Sequence, residues 1–183
     1  MVVIGGGAGG LVTAATAVGL GAKVALIEKN LLGGDCLNTG CVPSKAFLKC
    51  ANVAHSARTA QHFGVKVGQV EVDFPFIMER MRKIRAEISV NDSAARFSNQ
   101  LGVDVYLGHA QFVDQTNIKV NEGNLNFLKA VIATGARPRV PKIKGLEQIT
   151  YFTSESIFNL KRQPKSLAII GGGPVSVELG QAF

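Results

Sequence analysis

Long apolar runs are missing: no stretch of eighteen consecutive apolar residues occurs in the 183-residue chain, so no segment has the pattern of a membrane-spanning helix. The apolar opening, residues 1–28, has no basic region ahead of it and is broken by Gly5, Gly6, Gly7, Gly9 and Gly10, unlike a signal peptide. Cysteine is scarce. The three present, Cys36, Cys41 and Cys50, are too few and too unevenly spaced for a structural disulfide framework, which points to a reducing, cytoplasmic setting. Proline is rare at six residues and no G-X-Y period exists, so collagen and low-complexity linkers are excluded. Charge is low as well: 18% charged against 46% hydrophobic residues rules out wholesale disorder. The net charge of +7 would permit a polyanionic partner, but the densest basic stretch interleaves Arg80, Arg82, Lys83, Arg85 and Arg96 with Glu87 and Asp92. That is a solvated helix face. With no basic-aromatic motif, neither nucleic acid nor a membrane is expected as partner.

Glycine is what the sequence has in excess. Twenty-one of 183 residues are glycine, where about 7% is usual. Ten fall between Gly5 and Gly40 and three more are Gly171, Gly172 and Gly173. Clusters of this kind mark places where backbone approaches a ligand closely.

Length alone suggests one core. Residues 1–4 are a short apolar run ending at glycine, the pattern of a buried parallel strand. Residues 11–20 predict a helix and residues 23–27 the next strand, completing a βαβ unit. Residues 43–58 and 74–101 predict two further helices, the second with Asp73 as N-cap and Gly102 past its end. Then the period changes. Residues 103–107, 110–113, 118–120 and 125–132 read as short strands of a small antiparallel meander. Residues 137–145 are the expected linker, 153–160 a short helix, and 167–170 a buried strand running into Gly171.

Gly5-x-Gly7-x-x-Gly10 follows a strand and opens a helix, the context a dinucleotide fingerprint requires. Gly5 permits the tight turn, Gly7 lets a pyrophosphate reach the backbone, and Gly10 allows close packing of helix on strand. Glu28, eighteen residues beyond Gly10, is placed to accept hydrogen bonds from ribose hydroxyls.

Cys36-Leu-Asn-Thr-Gly-Cys41-Val-Pro-Ser-Lys45 comes next. In one regular helix, thiols five residues apart would have α carbons about 8 Å apart, beyond the roughly 4.4–6.8 Å of a disulfide. A bridge therefore requires an irregular first turn, for which Gly40 and Pro43 provide. A helix N-terminus near Cys41 and Lys45 one turn on would surround that sulfur with positive potential. Two unrelated core cysteines are the alternative. Zinc is disfavoured, because CxxxxC does not supply four ligands and no histidine occurs before His55; no metal site is expected.

Together with ATGARP at residues 133–138 and GGGPVSVELG at 171–180, these motifs resemble the flavoprotein pyridine nucleotide-disulfide oxidoreductases, which include dihydrolipoamide dehydrogenase, glutathione reductase and mercuric reductase. Gly33-Gly34-Asp35 and Val42 look most like the mercuric-reductase branch. The resemblance implies an α/β fold: a Rossmann-like FAD-binding domain over residues 1–145, with a small antiparallel meander, and the start of a Rossmann-like NAD(P) domain over residues 146–183. It implies that Gly5, Gly7, Gly10 and Glu28 hold the ADP half of FAD, with Gly34, Ala110, Thr134 and Gly135 also against the cofactor and Gly171 and Gly173 against NAD(P). Cys36 and Cys41 would form a redox disulfide, Cys36 attacking substrate and Cys41 facing the flavin. Lys45 would lie near flavin N5, paired with Glu178.

Two positions depart from the family pattern. Asp35 stands where many members have threonine, which would put a carboxylate near the pyrophosphate. Ser176 stands where glycine or alanine usually permits close packing. Family members are longer, and their catalytic His–Glu pair lies in a C-terminal interface domain that is absent here; His55, His62 and His109 match no catalytic motif. The sequence thus reads as an N-terminal fragment of a cytoplasmic, homodimeric oxidoreductase. Its activity would pass electrons between NAD(P)H and a small disulfide, a dithiol or Hg²⁺. The alternative is a nucleotide-binding module without turnover.

Overall fold

Val2–Ile4 form β1, and their alternation decides what each side chain meets. β1 pairs in parallel with β2 (Ala25–Glu28) on one side and with β7 (Ala130–Ile132) on the other; β3 (Asp104–Leu107) pairs in parallel outside β2. The sheet order is β3-β2-β1-β7. One face turns Val3 and Leu26 into a core shared with Leu11 and Ala14 of α1 (Ala8–Gly19), with Val24 and Val103, and with Phe97 of α5 (Ala94–Asn99). The other face turns Val2 and Ile27 against Ile118, Val120 and Phe127. Those residues lie on or beside a second sheet, antiparallel, of order β4-β5-β6: Ala110–Phe112, Asn117–Val120 and Gly123–Asn126.

The computed structural model describes residues 1–183 and resolves them into two compact units. The sheets belong to the first, made of Met1–Asn38 and Glu87–Arg137; the second joins Thr39–Ala86 to Pro138–Phe183. Helices dominate the second unit. α3 (Cys41–Thr59), α4 (Phe74–Ser89, its last turn crossing into the first unit) and α6 (Pro174–Ala182) enclose Phe47, Phe74, Met78, Met81, Ile157, Phe158 and Leu179. Phe183 completes an aromatic cluster, its ring centroid 4.8 Å from that of Phe47 and 6.1 Å from that of Phe74.

Several sequence expectations change. The helix expected over 74–101 is broken: α4 stops at Ser89, a 3-10 turn covers Val90–Asp92, and α5 restarts behind Ser93. Ser93 is extended and its hydroxyl accepts from the Arg96 amide at 3.2 Å, so an N-cap sits where the long helix would need a helical residue. The strand expected over 125–132 is two strands in different sheets, because Phe127 leaves the ladder to fill the space between them. Residues 103–107 likewise supply β3 of the parallel sheet, not the meander. Residues 167–170 form no strand, since the second unit has no other strand to pair with them. Over 153–160 only the 3-10 turn Ile157–Asn159 forms; the Ser156 hydroxyl accepts from the Thr153 amide at 2.9 Å, a local bond that competes with a helix. The first helix begins earlier than expected, at Ala8, drawing Gly9 and Gly10 into α1.

Candidate nucleotide and thiol site

Gly5 ends β1 with φ +109°, and its amide donates to the Ile27 carbonyl at 2.8 Å. A side chain there would strike the Ala133 carbonyl. Gly10 is buried in α1, and a Cβ on it would run into the carbonyl of Gly5. Both glycines are required by the fold. Gly7 is different: as N-cap of α1 its φ of −82° and ψ of −175° suit any residue, and an added Cβ would meet only the α carbon of Gly34, at 3.5 Å. At Gly9 the nearest neighbour would be Ala133 Cβ, 3.9 Å away. Internal packing therefore does not demand glycine at 7 or 9. Their smallness leaves room for something outside the chain.

The N-terminus of α1 has no side-chain cap and no acidic residue in its first turn. Its first amides and the helix dipole suit a phosphate. Glu28 fastens this turn from the end of β2: one carboxylate oxygen accepts from the Gly6 amide at 2.6 Å, the other from the Asn30 amide at 2.7 Å. A carboxylate has about four acceptor positions, so Glu28 keeps capacity for ribose hydroxyls. The uncapped helix, the open glycines and this carboxylate together fit the ADP portion of FAD. Thr134 is brought to the same place, its α carbon 3.2 Å from where a Gly5 side chain would begin, and Gly135 follows at φ +67° in open space. Ala110 opens β4 opposite Val120 and packs against the core between the sheets.

Sequence reasoning missed Gly6 and Gly33. The Gly6 carbonyl accepts from the Gly33 amide at 2.8 Å, tying the loop after β2 to the glycine turn. A side chain on Gly6 would strike Leu32, and one on Gly33, at φ +91°, would strike Leu37. The paired glycines at 5–6 and 33–34 were the available signal. Gly34, at φ +56°, leans on Gly7 so closely that a Cβ would lie 2.5 Å from the Gly7 α carbon. It begins α2 (Gly34–Asn38), whose Asp35 and Cys36 are exposed. The Asn38 side chain holds the turn, its Nδ2 donating to the carbonyls of Leu32 and Gly34, both at 3.0 Å.

Cys41 is the first residue of α3, behind Gly40 at φ −126°, ψ −110°. Cys36 belongs to α2 and Cys41 to α3. Cys41 and Lys45 are exposed, while Pro43 and Ser44 are buried, and the Ser44 amide closes the first turn on the Gly40 carbonyl at 3.0 Å. α3 packs along α6, so Lys45 and Glu178 lie on neighbouring helices.

The second glycine turn repeats the first. Gly171 has φ +111° where Gly5 has +109°, and Gly173 caps α6 at φ −74°, ψ 169° as Gly7 caps α1. Added side chains at Gly172 and Gly173 would meet only open space. Ser176 is accommodated, its hydroxyl 3.6 Å from where a Gly171 side chain would begin. His55, His62 and His109 lie apart, in α3, in a 3-10 turn and between β3 and β4. No group of three or more His, Cys, Asp or Glu side chains is arranged to hold a metal ion, and no helix is long and apolar enough to cross a membrane.

The family model described as pyridine nucleotide-disulphide oxidoreductase matches residues 1–183. A mercuric reductase of Lysinibacillus sphaericus is 37% identical over 183 residues, which is 100% of this chain and 33% of that protein. A dihydrolipoyl dehydrogenase of Acholeplasma laidlawii is 37% identical over 188 residues, covering 100% of this chain and 55% of its own length. Among solved structures, the HOCl-induced flavoprotein disulfide reductase RclA from Escherichia coli superposes with a TM-score of 0.82 at 28% identity, over 99% of this chain and 38% of that one. The chain thus spans between about a third and about half the length of these relatives. The α/β architecture, with its parallel sheet and small antiparallel sheet, is that of the Rossmann-like FAD-binding domain of disulfide reductases. On the match over its whole length, this chain belongs to the pyridine nucleotide-disulphide oxidoreductase family.

Proposed function

We propose that the protein holds FAD at the Gly5–Gly10 turn and passes electrons between NAD(P)H and a disulfide or thiophilic metal ion through Cys36 and Cys41. The observation that carries this reading is the contact of Gly34 with Gly7: the segment bearing Cys36 is laid directly on the glycine turn. Gly5, Gly7, Gly10, Gly34, Glu28, Thr134 and Gly135 would hold the cofactor, with Ala110 at the adenine end. When bound, FAD supplies the two-electron relay between the hydride donor and the thiol pair. Cys36, as thiolate, attacks one sulfur of the substrate disulfide and expels the other as a thiolate. Cys41 then attacks the Cys36 sulfur, releasing the second substrate thiol and leaving a Cys36–Cys41 disulfide. The balance is NAD(P)H, a proton and one disulfide giving NAD(P)⁺ and two thiols. With Hg²⁺ as substrate, the two thiols bind the ion and the same two electrons reduce it. Lys45 and Glu178 pair beside the inner thiol, and residues 146–183, through Gly171 and Gly173, begin the NAD(P) site that follows the FAD domain of residues 1–145. The reading includes a cytoplasmic homodimer, with the catalytic base donated by a further part of the protein.

The test is anaerobic reduction of the flavin-loaded full-length protein by NAD(P)H. A long-wavelength thiolate-to-flavin charge-transfer band is expected, and Cys41→Ala should abolish it. A protein that binds FAD yet never shows the band would refute the thiol relay.

A further inference from the structure

α2 has only five residues, Gly34–Asn38, and a helix that short has almost no stability of its own. Its opening backbone bond is weak: the Leu37 amide reaches the Gly33 carbonyl at 3.4 Å, beyond the usual range of about 2.7–3.2 Å. Two side chains at its end hold it. Leu37 is buried with its side chain against Gly33. Asn38 is half-buried, and its Nδ2 donates to the carbonyls of Leu32 and Gly34, both at 3.0 Å. An amide NH₂ has two hydrogens, one for each of these carbonyls. The two residues gripped in this way flank Gly33, whose amide is bonded to the Gly6 carbonyl, and Gly34 is itself seated on Gly7. One side chain thus closes the α2 turn onto the glycine turn, and Cys36 is carried inside that closure, two residues before Asn38.

We propose that Asn38 is a positioning residue for Cys36, needed when the thiol attacks substrate and dispensable while the thiol pair is being reduced. This deepens the thiol relay proposed above and rests on it. As long as Cys36 and Cys41 are joined, their S–S bond fixes the Cys36 sulfur whatever the turn does. Two electrons and two protons break that bond and leave two thiols, and from then on the α2 turn holds Cys36 in place. In this state the Cys36 thiolate must line up with the substrate disulfide and expel one thiolate. Cys41 then attacks the Cys36 sulfur, restoring the Cys36–Cys41 bond and freeing the second thiol. A misplacement of about 1 Å can cost on the order of a hundred-fold in such a step.

The experiment compares full-length wild type, Asn38→Asp and Asn38→Ala. Aspartate matches asparagine in shape but sets an oxygen against both carbonyls. Alanine removes the bonds yet is the better helix former, so a loosened α2 in that variant cannot come from propensity. In the flavin-free proteins, the α2 amides of both variants should exchange about five-fold or more faster than in wild type, with β1 and β2 unchanged. In the flavin-loaded proteins, anaerobic NAD(P)H should reduce the flavin and raise the charge-transfer band at about the wild-type rate. Discharge of the reduced thiols onto a small aromatic disulfide, read from its coloured leaving thiolate, should slow about ten-fold or more. A purely structural Asn38 would lower flavin content and slow both half-reactions alike, which overturns the positioning role. Substrate discharge or α2 exchange at wild-type rates overturns it as well, while leaving the relay intact. If wild type itself binds FAD and gives no charge-transfer band, the thiol relay fails and the inference falls with it.

Discussion

Glycines of one fingerprint have different duties at the residue scale, and substitution separates them. Gly10→Ala forces a methyl group into the Gly5 carbonyl and should cost about 1–3 kcal/mol of stability, as overpacking generally does. Gly7→Ala meets nothing closer than 3.5 Å, so thermal unfolding should barely move while titration with FAD shows affinity falling at least ten-fold. Equal stability losses in the two variants would contradict this division. Asp114 makes a second residue-scale case. Its carboxyl is held below the usual carboxylate range by the Thr116 amide and the Asn117 side chain, at 2.7 and 2.9–3.0 Å, in the turn joining β4 and β5. A depressed value means that the ionised form stabilises the fold. The contribution is complete above the ordinary carboxylate pKa of about 4 and is lost as pH falls through the lower folded value. Asp114→Ala should therefore lower the unfolding temperature near neutrality, and its difference from wild type should shrink as a melting series is carried to pH values below the ordinary carboxylate range.

At the scale of elements, two helix boundaries illustrate what periodicity can and cannot supply. Asp73 was legible as a cap, and its carboxylate does accept from the Phe76 amide at 3.0 Å. Ser93 was passed over, although Asn91, Asp92 and Ser93 are three successive residues that favour caps and turns; its hydroxyl bond to the Arg96 amide marks the restart. Ser93→Ala should cost about 1 kcal/mol, read as a lower denaturant midpoint, and Ser93→Asp should restore most of it. In the helical unit the Phe47 ring meets both Phe74 and Phe183. Phe47→Ala should remove about 3–5 kcal/mol from that unit, visible as early loss of protection in α3 and α6 by hydrogen exchange, with β1 and β2 retained.

Across the whole molecule, what the sequence disclosed follows from the range of the interactions involved. The first βαβ unit and the glycine fingerprint were legible because strand, turn and helix follow one another within 28 residues, and the turn's chemistry is local. The partition of residues 103–132 between two sheets was not, since pairing β3 with β2 and β7 with β1 depends on contacts remote in sequence. Residues 167–170 carry a strand's composition, yet a strand needs a neighbour, and their backbone amides should exchange rapidly while those of β1 stay protected. Within the site, Gly5, Gly7, Gly10 and Glu28 could be named in advance. The bond from Gly33 to Gly6 and the seat of Gly34 on Gly7 could not, because they join loops from successive strands.

That seat has a practical corollary. Two α carbons in direct contact transmit displacement, so whatever settles on Gly7 presses on Gly34, and through it on the short helix that carries Cys36. Alkylation of Cys36 should then proceed at different rates with and without ADP or FAD, turning one thiol into a gauge of cofactor loading. A labelling reagent and a mass spectrometer could count occupied molecules in a mixture with no optical signal from the flavin at all.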